Sequence, residues 1–279
     1  MLKYELIPEQ LLREGIITAQ DLHPPREIDQ ELILLAHELG YWERMRDFKL
    51  SAAEIRRIGF PLSAELVERE RRIAQGTIEG CLHALDNKIA FNVAGGTHHA
   101  GSNWGEGFCL LNDQAIAAAY LIKSARARQI LIIDLDVHQG NGTAEIFAGN
   151  NQIFTFSIHA ENNFPFRKEK SDLDIGLKDG TSGVEYLAIL SDTLKLLRDR
   201  VNPDFIFYLA GVDVLATDKL GKLNLSQDEC LQRDRLVLSF CHENSTPLQV
   251  SMGGGYSPQL RHIVDAHCNT FRVARELYC

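Results

Sequence analysis

Five times along this chain, a run of apolar, largely β-branched residues gives way to a glycine-rich polar loop and then to a helix-like segment. The runs are "KIAFNVA" (88–94), "QILIIDLD" (129–136), "QIFTFSI" (152–158), "DFIFYLA" (204–210) and "LQVSM" (248–252). A strand followed by a helix, repeated, requires crossover connections, so the sheet is parallel and helices cover both of its faces. Near-continuous apolar strands agree with this, because parallel strands are buried on both sides. Helical periodicity marks 112–125, a short stretch around 144–147, 184–200, 228–242 and a terminal segment, and a mainly helical part (roughly 28–40 and 62–85) comes before the first strand. The expected fold is a three-layer α/β arrangement with a mostly parallel central sheet. Composition does not shift along the 279 residues and no linker or repeat interrupts them, so a single domain over 1–279 is expected.

This alternation decides where chemistry can occur. Open α/β sheets place their sites beyond the carboxyl ends of the strands. The polar segments "GGTHHAGSNWGEGF", "DVHQGNG", "SIHAENNF", "GVDVLATD" and "GGGYSP" all follow strands and should converge on one edge.

In "IDLDVHQGNG" (133–142), two carboxylates and an imidazole alternate with apolar residues. An unpaired buried charge costs several kcal/mol, so these groups need a partner. Asp136 and His138 are two apart and project to the same side of an extended segment, and Asp213 can meet them from another strand. Two carboxylates and one imidazole would leave a metal's fourth position open, as in catalytic zinc sites. A strand-end Asp–His hydrogen-bonded pair is the competing reading. The adjacent His98 and His99, in a glycine-rich loop, could serve as base and transition-state support, with Asp134 and Asn141 fixing their tautomers. Tyr256 follows three glycines and could donate to an oxyanion, although it could equally pack behind a tight turn. Phe108 could line a channel but, taken alone, is more compatible with a core position, and Cys109 is more compatible with the core than with a nucleophile. His23, His37, His83, His242, His262 and His267 do not follow strands.

A formal charge of −9 argues against direct nucleic-acid binding. No stretch approaches a membrane span, the N-terminus has no apolar signal region, and six scattered cysteines suggest a reducing, cytoplasmic context. The P-loop, GxSxG and HExxH patterns do not occur.

Taken together and in order, "GGTHHAG…GEGFC", "IDLDVHQGNG", "AGVDVLATDKLGKLNLS" and "GGGY" resemble the zinc-dependent histone deacetylase family, with its arginase/deacetylase fold. "SIHAENNFPFRKEKSDLDIGL" resembles bacterial members related to class IV. The resemblance implies a catalytic zinc on Asp136, His138 and Asp213, a catalytic pair His98 and His99 backed by Asp134 and Asn141, and Tyr256 polarising the amide carbonyl. His99 would be general base and then general acid. Asn141 stands where some members have Asp, which implies a less basic His99. Gly107, Phe108, Phe164, Phe166 and Gly254 match substrate-contacting positions of the acyl-lysine tunnel. Asp134, Asp136, His138, Ser157 and Ile158 match a structural potassium site. The strand and loop that usually precede the segment matching 1–4 are not found in this sequence, which implies either a truncated start or a more open rim.

The implied reaction is hydrolysis of an acetyl or longer acyl group from the ε-amine of lysine. Three other readings are a deacylase of small acylated amines such as polyamines, a catalytically silent acyl-binding protein, and arginase-like binuclear metal chemistry. The last needs more Asp and His ligands than the motifs offer. Oligomeric state is left open by the sequence.

Overall fold

A computed structural model describes residues 2–279. The strands are β1 (Ile89–Asn92), β2 (Ile130–Asp134), β3 (Ile153–Ala160), β4 (Leu173–Leu177), β5 (Phe205–Leu209) and β6 (Leu248–Ser251). They form one sheet in the order β1-β6-β5-β2-β3-β4, and every neighbouring pair is parallel. The helices are α1 (Lys3–Arg13), α2 (Gln30–Ile33), α3 (Leu39–Arg46), α4 (Ala52–Ile58), α5 (Ala64–Asn87), α6 (Asp113–Lys123), α7 (Asn141–Ile146), α8 (Gly183–Val201), α9 (Gln227–Glu243) and α10 (Leu260–Tyr278).

Alternation along the strands divides the core into two layers. Leu131 and Ile133 pack with Phe156, Tyr208 and Val250 against residues of α8, α9 and α10. Ile130 and Ile132 turn the other way, joining Phe205 and Phe207 against Ala74, Ile78 and Ile116 of α5 and α6. Side-chain caps set several helix starts: Ser63, Asn112, Ser182 and Ser226 each accept an amide N–H from the first turn of α5, α6, α8 and α9.

The chain runs outward from β2 through β3 and β4, then returns to place β5 on the other side of β2. The strand order therefore reverses between β2 and β5, and a ligand crevice is expected at their carboxyl ends. Asp134 pairs in register with Leu209, so the segments carrying Asp136 and Asp213 emerge side by side.

Three expectations need correction. The helix expected over 28–40 is two, α2 and α3, because Glu38 is extended and its N–H donates to the carbonyl of Ser102 instead of continuing the first helix. A sixth strand, β4, lies in what reads as a long loop. It is a short edge strand that contains Gly176 and has only Leu177 buried, so it carries little apolar signal. The strand expected to reach Asp136 stops at Asp134, because side chains take over from the ladder: Asp136 N–H donates to Asp134 Oδ1, Val137 N–H to Asp213 Oδ1 and His138 N–H to Asp136 Oδ1. In addition, α1 forms ahead of the expected helical part.

Candidate active site

The segment 135–138 is bent, and its side-chain-to-backbone hydrogen bonds lock the polar groups in place. Asp136 and Asp213 are fully buried and His138 nearly so. One ligand-capable atom from each of these three lies within 4.8 Å of the others. His138 Nδ1 is 3.0 Å from Asp136 Oδ1 and 3.2 Å from Asp213 Oδ2. Burial opposes the charged imidazole, but these two carboxylates outweigh it and raise its pKa to about 10. Burial, then the charge of Asp136, pushes Asp213 up to about 6. Two buried carboxylates thus face a point that calls for positive charge.

Buried Asp213 Oδ2 has no hydrogen-bond partner of acceptable geometry. A cation would offset that loss, and the borderline-hard Asp, His and Asp donors suit zinc. Gly254 seals the back of the cluster. Its N–H donates to Asp136 Oδ2 at 2.8 Å. A Cβ there would come within 2.0 Å of Asp213 Oδ2, so only glycine fits.

His98 and His99 lie beside this cluster, both buried, with ring centroids 4.1 Å apart. His98 Nδ1 is 2.7 Å from Asp134 Oδ2. Burial disfavours its proton, but Asp134 and Asp136 outweigh burial and raise its pKa. His99 Nδ1 is 2.7 Å from Asn141 Oδ1. Burial, followed by the neighbouring charges of His98 and His138, holds His99 well below the usual imidazole range. Of two adjacent histidines, one is therefore biased towards the cation and the other towards the neutral base.

His98, His99, Asp136, His138, Asp213 and Gly254 line a cavity of about 820 Å³. Phe164 stands edge-on to His99 at 5.0 Å, and Phe108 faces Tyr256 across 6.1 Å. Phe108 has a φ of +70°, unusual for a non-glycine residue, and follows Gly107 at +55° in a tight turn from Glu106 to Cys109. That turn holds the ring out, 38% exposed, at the cavity wall. A Cβ on Gly107 would meet His99 Cδ2 at 2.7 Å, so this glycine allows the turn to press against the imidazole. Phe166 is 91% exposed at the mouth and does not reach the histidines. Tyr256 is held by its backbone, whose N–H donates to Asp218 Oδ2 at 2.5 Å. Desolvation, then Asp213 and Asp136, raises its phenol pKa, so it stays a proton donor.

Ser157 and Ile158 are buried on β3 beside the Asp134 strand, where Ser157 Oγ lies 3.0 Å from His159 Nδ1. Cys109 is buried and burial raises its thiol pKa, against a nucleophilic role. A larger cavity, about 1220 Å³, runs along the outer edge of β1 between α1, α5 and α10 and contains none of the carboxylate–histidine cluster. Reading the sequence motifs missed Glu106, Asp218, Lys3, whose Nζ donates to the Gly253 carbonyl at 2.7 Å, and Arg233, whose Nη1 donates to the Leu135 carbonyl at 3.2 Å. Glu106 sits inside the quoted "GEGFC" and Asp218 inside "ATDKLG", but turn formation explains either one as well as function does.

The histone deacetylase domain model matches residues 2–271, and the chain belongs to the histone deacetylase family. It is 42% identical over 278 residues to an uncharacterized protein of Picosynechococcus sp., covering 100% of this chain and 93% of that one. It is 26% identical over 275 residues to histone deacetylase 2 of Arabidopsis thaliana, covering 94% of this chain and 70% of that protein. Among solved structures, an HDAC homolog complexed with SAHA matches with a TM-score of 0.84 at 25% identity, covering 97% of this chain and 77% of that one. An HDAC homolog from Aquifex aeolicus matches with a TM-score of 0.83 at 25% identity, covering 96% and 77%.

Proposed function

We propose that this chain is a zinc-dependent amidohydrolase that removes acyl groups from the ε-amine of lysine in peptides or proteins. The observation that carries the proposal is the meeting of Asp136, His138 and Asp213 with the His98–His99 pair on one aromatic-walled cavity. Zinc at the carboxylate–imidazole cluster would supply Lewis acidity to the scissile carbonyl and acidify water.

The chain's own residues would do the rest. Phe108 and Phe164 hold the alkyl stem of the acylated side chain and keep bulk water away. His99 has Nδ1 committed to Asn141, so its Nε2 is the nitrogen available to take a proton from the attacking water and return it to the leaving amine. His98, biased towards its cationic form by Asp134, favours the developing negative charge. The phenol of Tyr256 donates a hydrogen bond to the oxyanion.

The charge of the lining favours a peptide over a polyamine. Among the described residues, the only carboxylates lining the cavity are Asp136 and Asp213, whereas Arg56, Arg57, Arg69 and Lys222 surround its outer part. Such a rim repels a free polycation.

The test is hydrolysis of ε-acyl-lysine peptides, acetyl through myristoyl, and of acetylated polyamines by the zinc-loaded protein, followed by mass spectrometry. Turnover of a lysine peptide is expected. Turnover of polyamines alone would reassign the substrate, and zinc bound at one equivalent with no turnover at all would refute the enzyme. SAHA, the ligand of the structural relative, should also raise the melting temperature of the zinc-loaded protein.

A further inference from the structure

The side chain of Asn141 does more than receive a bond from His99. Its Oδ1 lies 2.7 Å from His99 Nδ1, and its Nδ2 donates to Glu106 Oε1 at 2.5 Å. These partners fix every proton in the chain. A carboxylate oxygen accepts, so the amide NH₂ faces Glu106. The amide oxygen then faces His99, so His99 carries its proton on Nδ1. The side chain of Glu106 is only 14% exposed, and its other oxygen lies 3.8 Å from Arg57 Nε.

We propose that Glu106 is a positioning residue for the reaction, supplying through the Asn141 amide the negative charge that Asp134 supplies directly to His98. Donation from Nδ2 to a carboxylate pushes electron density onto Oδ1 and strengthens its hold on the His99 Nδ1 proton, since linked hydrogen bonds polarise one another. The interposed amide attenuates the charge. That difference leaves the His99 imidazolium, when it forms during the reaction, with weaker support than a direct carboxylate contact would give. The Glu106–Cys109 turn gives the arrangement its geometry: Cys109 N–H closes on the Glu106 carbonyl at 2.9 Å, while Gly107 lets the turn lie against His99.

This inference rests on the deacylase reading for its kinetic test and has a second readout that does not. Glu106→Gln keeps the shape and removes the charge, and should lower kcat about 10- to 100-fold with little change in KM. Asn141→Asp alone should also lower kcat, because it sets a carboxylate against Glu106. The double variant Glu106→Gln/Asn141→Asp moves the charge one residue inward and should recover kcat to near the unmodified enzyme. A Glu106→Gln kcat equal to that of the unmodified enzyme would overturn the proposal, and so would a double variant no better than the singles.

The second readout is NMR of the zinc-loaded protein carrying ¹⁵N-labelled histidine, with the His99 Nδ1–H signal assigned by its loss in His99→Asn. Glu106→Gln should move this proton upfield, and an unmoved signal would overturn the relay. If the unmodified protein deacylates nothing while the signal still moves, the deacylase reading fails and the relay stands.

Discussion

Asp218 Oδ2 accepts the backbone N–H of Tyr256, while Asp218 Oδ1 accepts those of Leu220 and Gly221. One carboxylate thus ties the loop after β5, which carries Asp213, to the loop after β6, which carries the phenol. Tyr256→Phe should lower turnover by about two to three orders of magnitude, as for loss of an oxyanion donor. Asp218→Ala should lower it about tenfold with zinc content unchanged, because it frees the phenol without touching the metal cluster. The double variant should be no slower than Tyr256→Phe alone, since Asp218 acts through Tyr256. Additive losses in steady-state kinetics would place Asp218 on a separate path.

Zinc should stabilise the folded chain by about 2.7 kcal/mol at a hundredfold excess over its Kd, seen as a rise in melting temperature. Asp213→Ala removes the carboxylate oxygen that lacks a hydrogen-bond partner. In that variant, the zinc-induced shift and the zinc retained after gel filtration should both disappear. Full metal stoichiometry in Asp213→Ala would remove Asp213 from the centre.

His37 makes stability fall with acid. Its Nδ1 lies 3.0 Å from the Gly101 carbonyl and its Nε2 accepts the Asn112 N–H at 2.9 Å, so the fold holds it neutral. Burial lowers its pKa to about 4. The unfolded chain, with an imidazole pKa of about 6.5, binds the proton first as pH falls, so this contribution is complete above that value and is lost progressively towards pH 4. The loss should reach up to about 3 kcal/mol. Urea denaturation at pH 7 and pH 5 should show it, and His37→Gln should flatten the difference. An equal pH dependence in the variant would show that other groups carry it.

Arg233 and Asp234 form an ion pair with no exposed surface. Arg233 Nη1 donates to the carbonyls of Leu135 and Gly211, just ahead of Asp136 and Asp213, while Asp234 accepts from Tyr208 Oη and Thr270 Oγ1. Arg233→Met strands the buried carboxylate and should cost about 3–5 kcal/mol. Arg233→Met/Asp234→Asn should be the more stable of the two in denaturant titrations, because the uncompensated charge is gone. If the single variant is as stable as the double, the charge is not what the pair protects.

Much of this arrangement is legible in the sequence because two physical signals coincide. Short β-branched apolar runs such as "ILII", bounded by glycine-rich loops, read as buried strands, and polar groups at their ends must find one another, which singles out Asp136, His138, Asp213, His98 and His99. Asn141 and Asp134 follow, because buried imidazoles need partners. What escapes reading is set by tertiary geometry. β4 forms because the edge of β3 offers it hydrogen bonds, not because "LDIGL" demands a strand. Arg233 looks like an ordinary helix-surface residue, and only the packing of α9 turns it inward. Glu106 sits in a turn that any polar residue could occupy, and its bond to Asn141, 35 positions away, has no local signature. Phe166 reads as interchangeable with Phe164, yet only Phe164 reaches the imidazoles.

Because the carboxylate pair straddles the seam where β2 meets β5, it cannot exist before that seam closes across the intervening β3, β4 and α8. Joining strands so far apart in sequence is slow, and here closing the seam also brings two carboxylates together. The chain thus builds repulsion into a central joint of its sheet, and a bound cation would act there as a rivet. Newly made protein deprived of metal should therefore open first along this line, by separation of the two half-sheets.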